Sequence, residues 1–239
     1  ELSPRQVREV GQAQLVVYLS GFQPAVDDAV AARAPENVVD AARTPAVAEH
    51  MARAAEAGPT GPDAHDHDAV DPHFWLDPTL LAAVATDVAD ALAEVDPDNA
   101  GAYAAGAEDL IADLTALDGE LADGLARCER SVVVTAHAAF GYLTERYGLE
   151  QVPISGLDPE AEPSPARLRD IRDVVESEGV TTVFTEVLVS PQVAQTLADD
   201  LGITTAVLDP VESQADPQVD YRGAMEQNLE ALRSALGCA

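Results

Sequence analysis

Apolar positions in the first hundred residues alternate between short runs and longer amphipathic stretches. The short runs at residues 15–19 and 38–39 predict strands, and the longer stretches have the length and spacing of helices. Helices are predicted at residues 4–12, 24–34 and 45–57. This alternation predicts a parallel sheet with right-handed crossovers. Such a lobe usually opens with a strand and none precedes Ser3, so we expect the lobe to lack its first strand.

A long helical pattern in the middle of the chain follows a helix predicted at residues 77–95. From residue 98 to residue 126 apolar side chains recur at steps of three, four or seven. At 1.5 Å per residue this helix is roughly 43 Å long, which is enough to connect two lobes. We therefore predict an N-terminal lobe at residues 1–97, a connecting helix at 98–127 and a C-terminal lobe at 128–239.

The alternation resumes after the long helix. Strands are predicted at residues 132–135, 152–154, 181–185 and 204–208, and helices at 138–147, 165–178, 191–201 and 221–236. The predicted fold class is α/β, with two lobes that are each a parallel sheet flanked by helices. Ligands bind such sheets at the carboxyl ends of the strands. His137, Glu186 and Asp209 each lie just past a predicted strand.

The charge of the chain favours cations as ligands. Among 239 residues, 43 are acidic and 13 are basic, so the formal net charge is -30. This charge repels nucleic acid and anionic membrane surfaces. The alternative is that the acidic residues only form a solvated coat. The apolar runs are shorter than the roughly 18 residues that a membrane-spanning helix needs.

Histidines concentrate in one region of the chain. His73 lies in the segment Asp-Pro-His-Phe-Trp-Leu-Asp-Pro, in which Asp77 is a plausible N-cap and Pro78 the first helical residue. His65 and His67 lie just upstream, in a stretch rich in glycine, proline and aspartate. Imidazoles and carboxylates are ligands of first-row divalent metals. Taken alone, however, a histidine in such a loop is more often structural than a metal ligand, and His73 needs distant partners to form a site.

Cys128 and Cys238 are the two cysteines of the chain, and they are not spaced as a thiolate metal site. They form either one disulfide bond or two inert thiols. If the last helix packs beside the first strand of its lobe, the pair can close a loop of about 110 residues.

Four segments together resemble a known family. They are Glu-Leu-Ser-Pro-Arg at residues 1–5, the His73 segment, Thr-Ala-His-Ala-Ala-Phe-Gly-Tyr at residues 135–142, and Phe-Thr-Glu at 184–186 with Ser-Pro at 190–191. Over its whole length the chain resembles the zinc/manganese class of solute-binding proteins of ABC importers, and its zinc-binding members above all.

The resemblance implies two α/β lobes, one rigid connecting helix and a metal site in the cleft. It implies that His73, His137 and Asp209 are metal ligands, although Asp209 could instead cap the turn after its strand. Glu186 is expected to accept a hydrogen bond from a ligand imidazole or to orient the loop, in preference to binding the metal directly. The family's first ligand is a histidine shortly before the segment that matches Glu1, so it falls outside this sequence. The loop with His65 and His67 resembles the histidine-containing insertion of zinc members, either as a solvated loop or as an accessory metal trap.

The function implied by the resemblance is capture of Zn2+ and its delivery to an ABC permease, with Mn2+ as the alternative metal. The protein is expected to be monomeric and extracytoplasmic, either periplasmic or anchored to the cell surface as a lipoprotein. A zinc-dependent hydrolase is the rival, with Glu186 as its candidate base, but the sequence has no HExxH, Gly-x-Ser-x-Gly or phosphate-loop motif. Relatives of this family are also described as adhesins, and nothing in these residues supports that role. We therefore expect no enzyme activity.

Overall fold

The structure is a computed structural model that describes residues 2–57, 70–158, 161–187, 190–214 and 216–239. The chain divides into two units, Glu1–Thr115 and Ala116–Ala239, and each contains parallel strands and helices. The predicted α/β fold with two lobes is confirmed. The division falls within the predicted connecting helix, and the domain limits at residues 97 and 128 stay predictions.

The first unit contains two strands in its described residues, and both run parallel. Its elements are α1 (Pro4–Val10), β1 (Val16–Tyr18), α2 (Pro24–Arg33), β2 (Val38–Asp40), α3 (Pro45–Ala57) and α4 (Pro78–Val95). Val16 pairs with Val38 and Tyr18 with Asp40, so β1 and β2 end at the same edge of the sheet. Each predicted element of this unit is present, with ends that shift by up to two residues.

The start of α4 fixes the turn that carries His73. Asp77 is the N-cap, and its Oδ1 accepts hydrogen bonds from the backbone N–H of Thr79 at 2.8 Å and from the Thr79 hydroxyl at 2.6 Å. Pro78 is the first helical residue, where its missing N–H leaves no helical bond unmade. A 3-10 turn, Phe74–Leu76, joins His73 to this cap, so the predicted cap is confirmed.

The predicted long helix is α5, Ala100–Leu125, with 26 residues. At 1.5 Å per residue it is about 39 Å long. Four of its leucines, at steps of three or four, are buried, whereas Leu110 is exposed; the buried ones are Leu114, Leu117, Leu121 and Leu125. The charged Asp118 and Glu120 lie between them and pair with Arg146 and Arg222, respectively. The bidentate contact with Arg146 lowers the pKa of Asp118.

The second unit is built around a four-stranded parallel sheet with the order β4-β3-β5-β6. Its further elements are β3 (Val132–Thr135), α6 (Gly141–Arg146), β4 (Glu150–Pro153), α7 (Pro165–Glu178), β5 (Thr182–Thr185), α8 (Gln192–Leu201), β6 (Thr204–Val207) and α9 (Tyr221–Leu236). Both central strands are buried at every position. The apolar core between the sheet and α7 and α8 therefore holds the carboxyl ends of β3 and β5 rigidly side by side.

One predicted helix begins later than its sequence pattern indicates. A helix was expected from residue 138, but α6 starts at Gly141. The backbone N–H of Ala138 donates to the carbonyl of Gly156 at 3.0 Å, and the carbonyl of His137, which would accept the first bond of that helix, accepts from two side chains instead. Alanine favours helix in isolation, and here a tertiary hydrogen bond outweighs that preference. The result is an irregular loop, residues 136–140, directly after β3.

Among the described residues, no helix is both long and apolar enough to cross a membrane. The two cysteines are joined: Cys128 and Cys238 form a disulfide bond across a sequence separation of 110 residues. Cys128 follows α5 and Cys238 follows α9, so the bond ties the two ends of the second unit together. The bridged alternative is therefore confirmed.

Removing this bond should destabilise the protein, because the bond limits the conformations of the unfolded chain. We expect the double variant Cys128→Ser/Cys238→Ser to lose on the order of 4 kcal/mol of unfolding free energy in the chain-entropy model. Urea unfolding of the oxidised protein, the reduced protein and the double variant measures the loss. Two titratable thiols per unreduced chain, or the same unfolding midpoint in all three samples, would contradict the assignment.

Candidate metal site

His137 lies two residues past β3, and its carbonyl is held by one side chain from β3 and one from β4. Its carbonyl accepts hydrogen bonds from the Thr135 hydroxyl at 2.7 Å and from Nε2 of Gln151 at 3.0 Å. The residue is 1% exposed. Two hydrogen bonds to this carbonyl fix the orientation of the peptide plane and therefore the direction of the Cα–Cβ bond of His137.

Glu186 orients the ring of His137. It follows β5, the neighbour of β3, and its Oε1 lies 2.6 Å from Nδ1 of His137 while accepting the backbone N–H of the same residue at 3.2 Å. The carboxylate therefore assigns the imidazole proton to Nδ1 and the lone pair to Nε2. Oε2 of Glu186 is buried and accepts no hydrogen bond from the described residues. This is the contact that the predicted role of Glu186 requires.

Glu212 is a carboxylate that sequence reasoning missed. Its Oε1 lies 3.7 Å from Nε2 of His137, and its side chain is 43% exposed. Glu212 lies three residues after Asp209, beyond Pro210. The sequence alone does not show which of the two carboxylates points toward His137. The signal available in the sequence was only that a second acid follows the turn after β6.

Asp209 follows β6 and makes contacts within its own turn. Its Oδ1 accepts the backbone N–H of Val211 at 2.8 Å, and its backbone N–H and carbonyl bond to the side chain of Asn228 at 2.8 and 2.7 Å. These are the contacts of a turn cap, the alternative left open for this residue. Asp209 and Glu212 line the same cavity of about 660 Å3 in the second unit. The ligand role of Asp209 stays a prediction.

His73, in the first unit, repeats the arrangement of His137. Asp71 Oδ1 accepts the backbone N–H of His73 at 3.0 Å and lies 2.7 Å from its Nδ1. His73 is 2% exposed, and the ring edge of Trp75 lies against it with centroids 5.4 Å apart. Asp71 thus assigns the proton to Nδ1 and the lone pair to Nε2 here too. Its position two residues before His73 suits an Asx-type turn, a signal that sequence reasoning did not use.

The histidines of the accessory loop, His65 and His67, lie outside the described residues. Their predicted part in metal capture stays a prediction. In the described part of the chain, each unit thus supplies one buried imidazole oriented by a carboxylate, and the second unit adds a carboxylate beside Nε2 of its imidazole.

Comparison with curated proteins gives relatives with zinc in their names. The chain is 38% identical over 177 residues to the zinc-binding lipoprotein AdcA of Streptococcus pneumoniae, covering 72% of this chain and 35% of that protein. It is 37% identical over 172 residues to the high-affinity zinc uptake system protein ZnuA of Bacillus subtilis, covering 70% and 54%. The chain therefore spans about a third to a half of the length of these relatives.

Comparison with solved structures covers nearly the whole chain. The laminin-binding protein Lmb of Streptococcus agalactiae, described as a bifunctional protein with adhesin and metal transporting activity, matches with a TM-score of 0.81 and 30% identity, over 99% of this chain and 85% of that one. A Zn(II)-bound variant of AdcAII of Streptococcus pneumoniae matches with a TM-score of 0.77 and 30% identity, again over 99% and 85%.

The family resemblance drawn from the four sequence segments is confirmed by the family comparison. The model described as zinc-uptake complex component A, periplasmic, matches residues 1–235. This match includes His73, His137, Glu186 and the Asp209 turn. The chain belongs to the ZnuA family of periplasmic zinc-uptake components.

Proposed function

We propose that this protein captures Zn2+ outside the cytoplasm and delivers it to an ABC permease. The observation that carries the proposal is the repeated carboxylate–imidazole pair: Asp71 with His73, and Glu186 with His137. Metal-binding histidines in proteins almost always donate their other ring N–H to such an acceptor. In this proposal zinc is cargo, and both imidazoles bind it through Nε2.

The proposed ligands are His73, His137 and a carboxylate from the turn after β6. Glu212 is the better carboxylate, because its Oε1 is already 3.7 Å from Nε2 of His137. Asp209, the ligand implied by the family resemblance, is the alternative, since it lines the same cavity. Zinc prefers four ligands, so a further donor, such as water or a histidine, completes the set.

Zinc is the preferred cargo because of the donor types. Imidazole nitrogen suits zinc, whereas manganese favours sites made mainly of carboxylate and carbonyl oxygen. The buried Oε2 of Glu186 also favours a cation nearby, since a buried carboxylate oxygen without a donor is costly and positive charge offsets that cost. His65 and His67 are proposed to assist capture without serving as required ligands.

The family and its named relatives support the proposed location and partner. The family is a periplasmic component of zinc uptake, and AdcA is named a lipoprotein, so we place this chain outside the cytoplasm, either free or lipid-anchored. A disulfide bond agrees with an oxidising compartment. The partner is an ABC permease, the protein acts as a monomer, and its charge of -30 disfavours nucleic acid.

Catalysis is not part of the proposed function. A zinc hydrolase needs a base that reaches a metal-bound water. Glu186, the candidate base, is 6% exposed and its Oε1 is bound to both the backbone and the ring of His137. This placement supports an orienting role for Glu186.

Zinc should bind metal-free protein more tightly than manganese does. We expect His73→Ala and His137→Ala each to weaken zinc binding by at least tenfold, because each removes a ligand. Competition titration against a chromogenic chelator measures the affinities, with His50→Gln as the control for loss of a histidine elsewhere. Affinity should also fall as the pH is lowered, because protons compete with the metal for the imidazole nitrogens. Tighter manganese binding, or full affinity in both alanine variants, would contradict the proposal.

Changing the orienting carboxylates should weaken zinc binding without removing a ligand. We expect Glu186→Gln and Asp71→Asn each to cost roughly 10- to 100-fold in zinc affinity, because an amide can present its N–H2 to Nδ1 and stabilise the wrong tautomer. The exposed Glu226→Gln is the matched control. If both variants bind zinc like the control while their unfolding free energies are unchanged, the carboxylates do not orient the ligands.

A further inference from the structure

The turn after β6 contains a strained residue. Val211 has φ of 55°, in the left-handed region, which a β-branched side chain rarely adopts. Ala34 is the other described residue besides glycine with a positive φ, and it ends helix α2, where this conformation is common. Val211 ends no helix. Strain of this kind persists only where the surroundings impose it.

A buried amide imposes the conformation of this turn. Asn228, on α9 and 2% exposed, accepts the backbone N–H of Asp209 through Oδ1 at 2.8 Å and donates through Nδ2 to the Asp209 carbonyl at 2.7 Å. The Asp209 carboxylate then accepts the N–H of Val211 at 2.8 Å. Leu208, just before, donates its N–H to the carbonyl of Thr185 at 2.9 Å. The turn is therefore fixed to α9 on one side and to β5 on the other.

The strained residue directs the chain toward the site. Glu212 is the next residue after Val211, and its carboxylate reaches to 3.7 Å from Nε2 of His137 although its side chain is 43% exposed. A half-exposed glutamate has several rotatable bonds, and ordering them on binding costs free energy. A backbone fixed by Asn228 and Val211 reduces that cost in advance.

We propose that Asn228, Asp209 and Val211 form a positioning unit that holds Glu212 for metal binding. This inference rests on the proposed function and deepens it. It gives Asp209 a role as the cap of the turn, and it makes Asn228 a positioning residue that acts on the metal through Glu212. Loosening the unit should weaken zinc binding and speed zinc release, with the ligands themselves intact.

The test is a double-mutant cycle of Asn228→Ala and Glu212→Gln, with zinc affinity by chelator competition and zinc release by stopped flow. We expect Asn228→Ala to weaken binding and speed release by about tenfold in the parent protein, and to have almost no further effect once Glu212→Gln is present. Val211→Gly should act in the same direction, because glycine adopts many backbone conformations at this position. Glu230→Gln, an exposed change on the same helix, is the control.

Equal losses from Asn228→Ala in both backgrounds would overturn the positioning role, because the effect would then not pass through Glu212. If Asn228→Ala fails to fold, the cycle with Val211→Gly decides in its place, since that change removes no buried polar group. Parent protein that does not bind zinc would refute the proposed function itself. Parent protein that binds zinc, but with the same affinity after Glu212→Gln, would refute the positioning unit alone.

Discussion

The site depends on one kind of contact, a carboxylate oxygen that accepts both the backbone N–H and the Nδ1–H of the same histidine. Glu186 makes it with His137, and Asp71 makes it with His73. Two hydrogen bonds to one oxygen fix the ring plane and the tautomer together. Without this contact an imidazole rotates about two side-chain bonds and can present either nitrogen. A histidine held in this way loses little conformational freedom when it binds a metal, so its binding affinity is higher.

The fold makes this contact possible at a considerable energetic cost. Burying an ionised carboxylate is unfavourable unless hydrogen bonds and nearby charge compensate. For Glu186 the compensating hydrogen bonds come from His137. They form because β3 and β5, two fully buried neighbouring strands, place residues 137 and 186 side by side. The apolar core behind the sheet keeps those strands from shifting. For His73 the capped start of α4 fixes the position of the turn that carries the histidine.

Much of the fold could be predicted from local patterns, because the strands are β-branched runs and the helices have clear caps. Asp77 marks a helix start that the structure confirms, and the helices predicted to end at residues 178 and 201 end there. The placement of His137 and Glu186 was also predictable, since both follow strands of one parallel sheet. The late start of α6 was not, because the hydrogen bond from Ala138 to Gly156 is tertiary.

Side-chain direction was the least predictable feature of the site. Asp209 is the first carboxylate after β6 and was the predicted ligand. Glu212, three residues later, has its Oε1 3.7 Å from Nε2 of His137, which its position in the chain does not predict. Val211, the residue before Glu212, has a left-handed conformation that no sequence preference predicts for valine. In the positioning unit that we propose, Asn228, on α9, holds the backbone of Asp209, two residues before Val211. Local sequence reasoning cannot see such a contact.

X-ray absorption spectroscopy of the zinc-loaded protein tests the central claim most directly, because it reports the donor atoms around the ion. The account predicts at least two imidazole nitrogens, recognised by their outer-shell scattering, together with at least one carboxylate oxygen. The His137→Ala variant should show one imidazole fewer. A zinc environment made only of oxygen, or one with a single imidazole in the parent protein, would contradict the account.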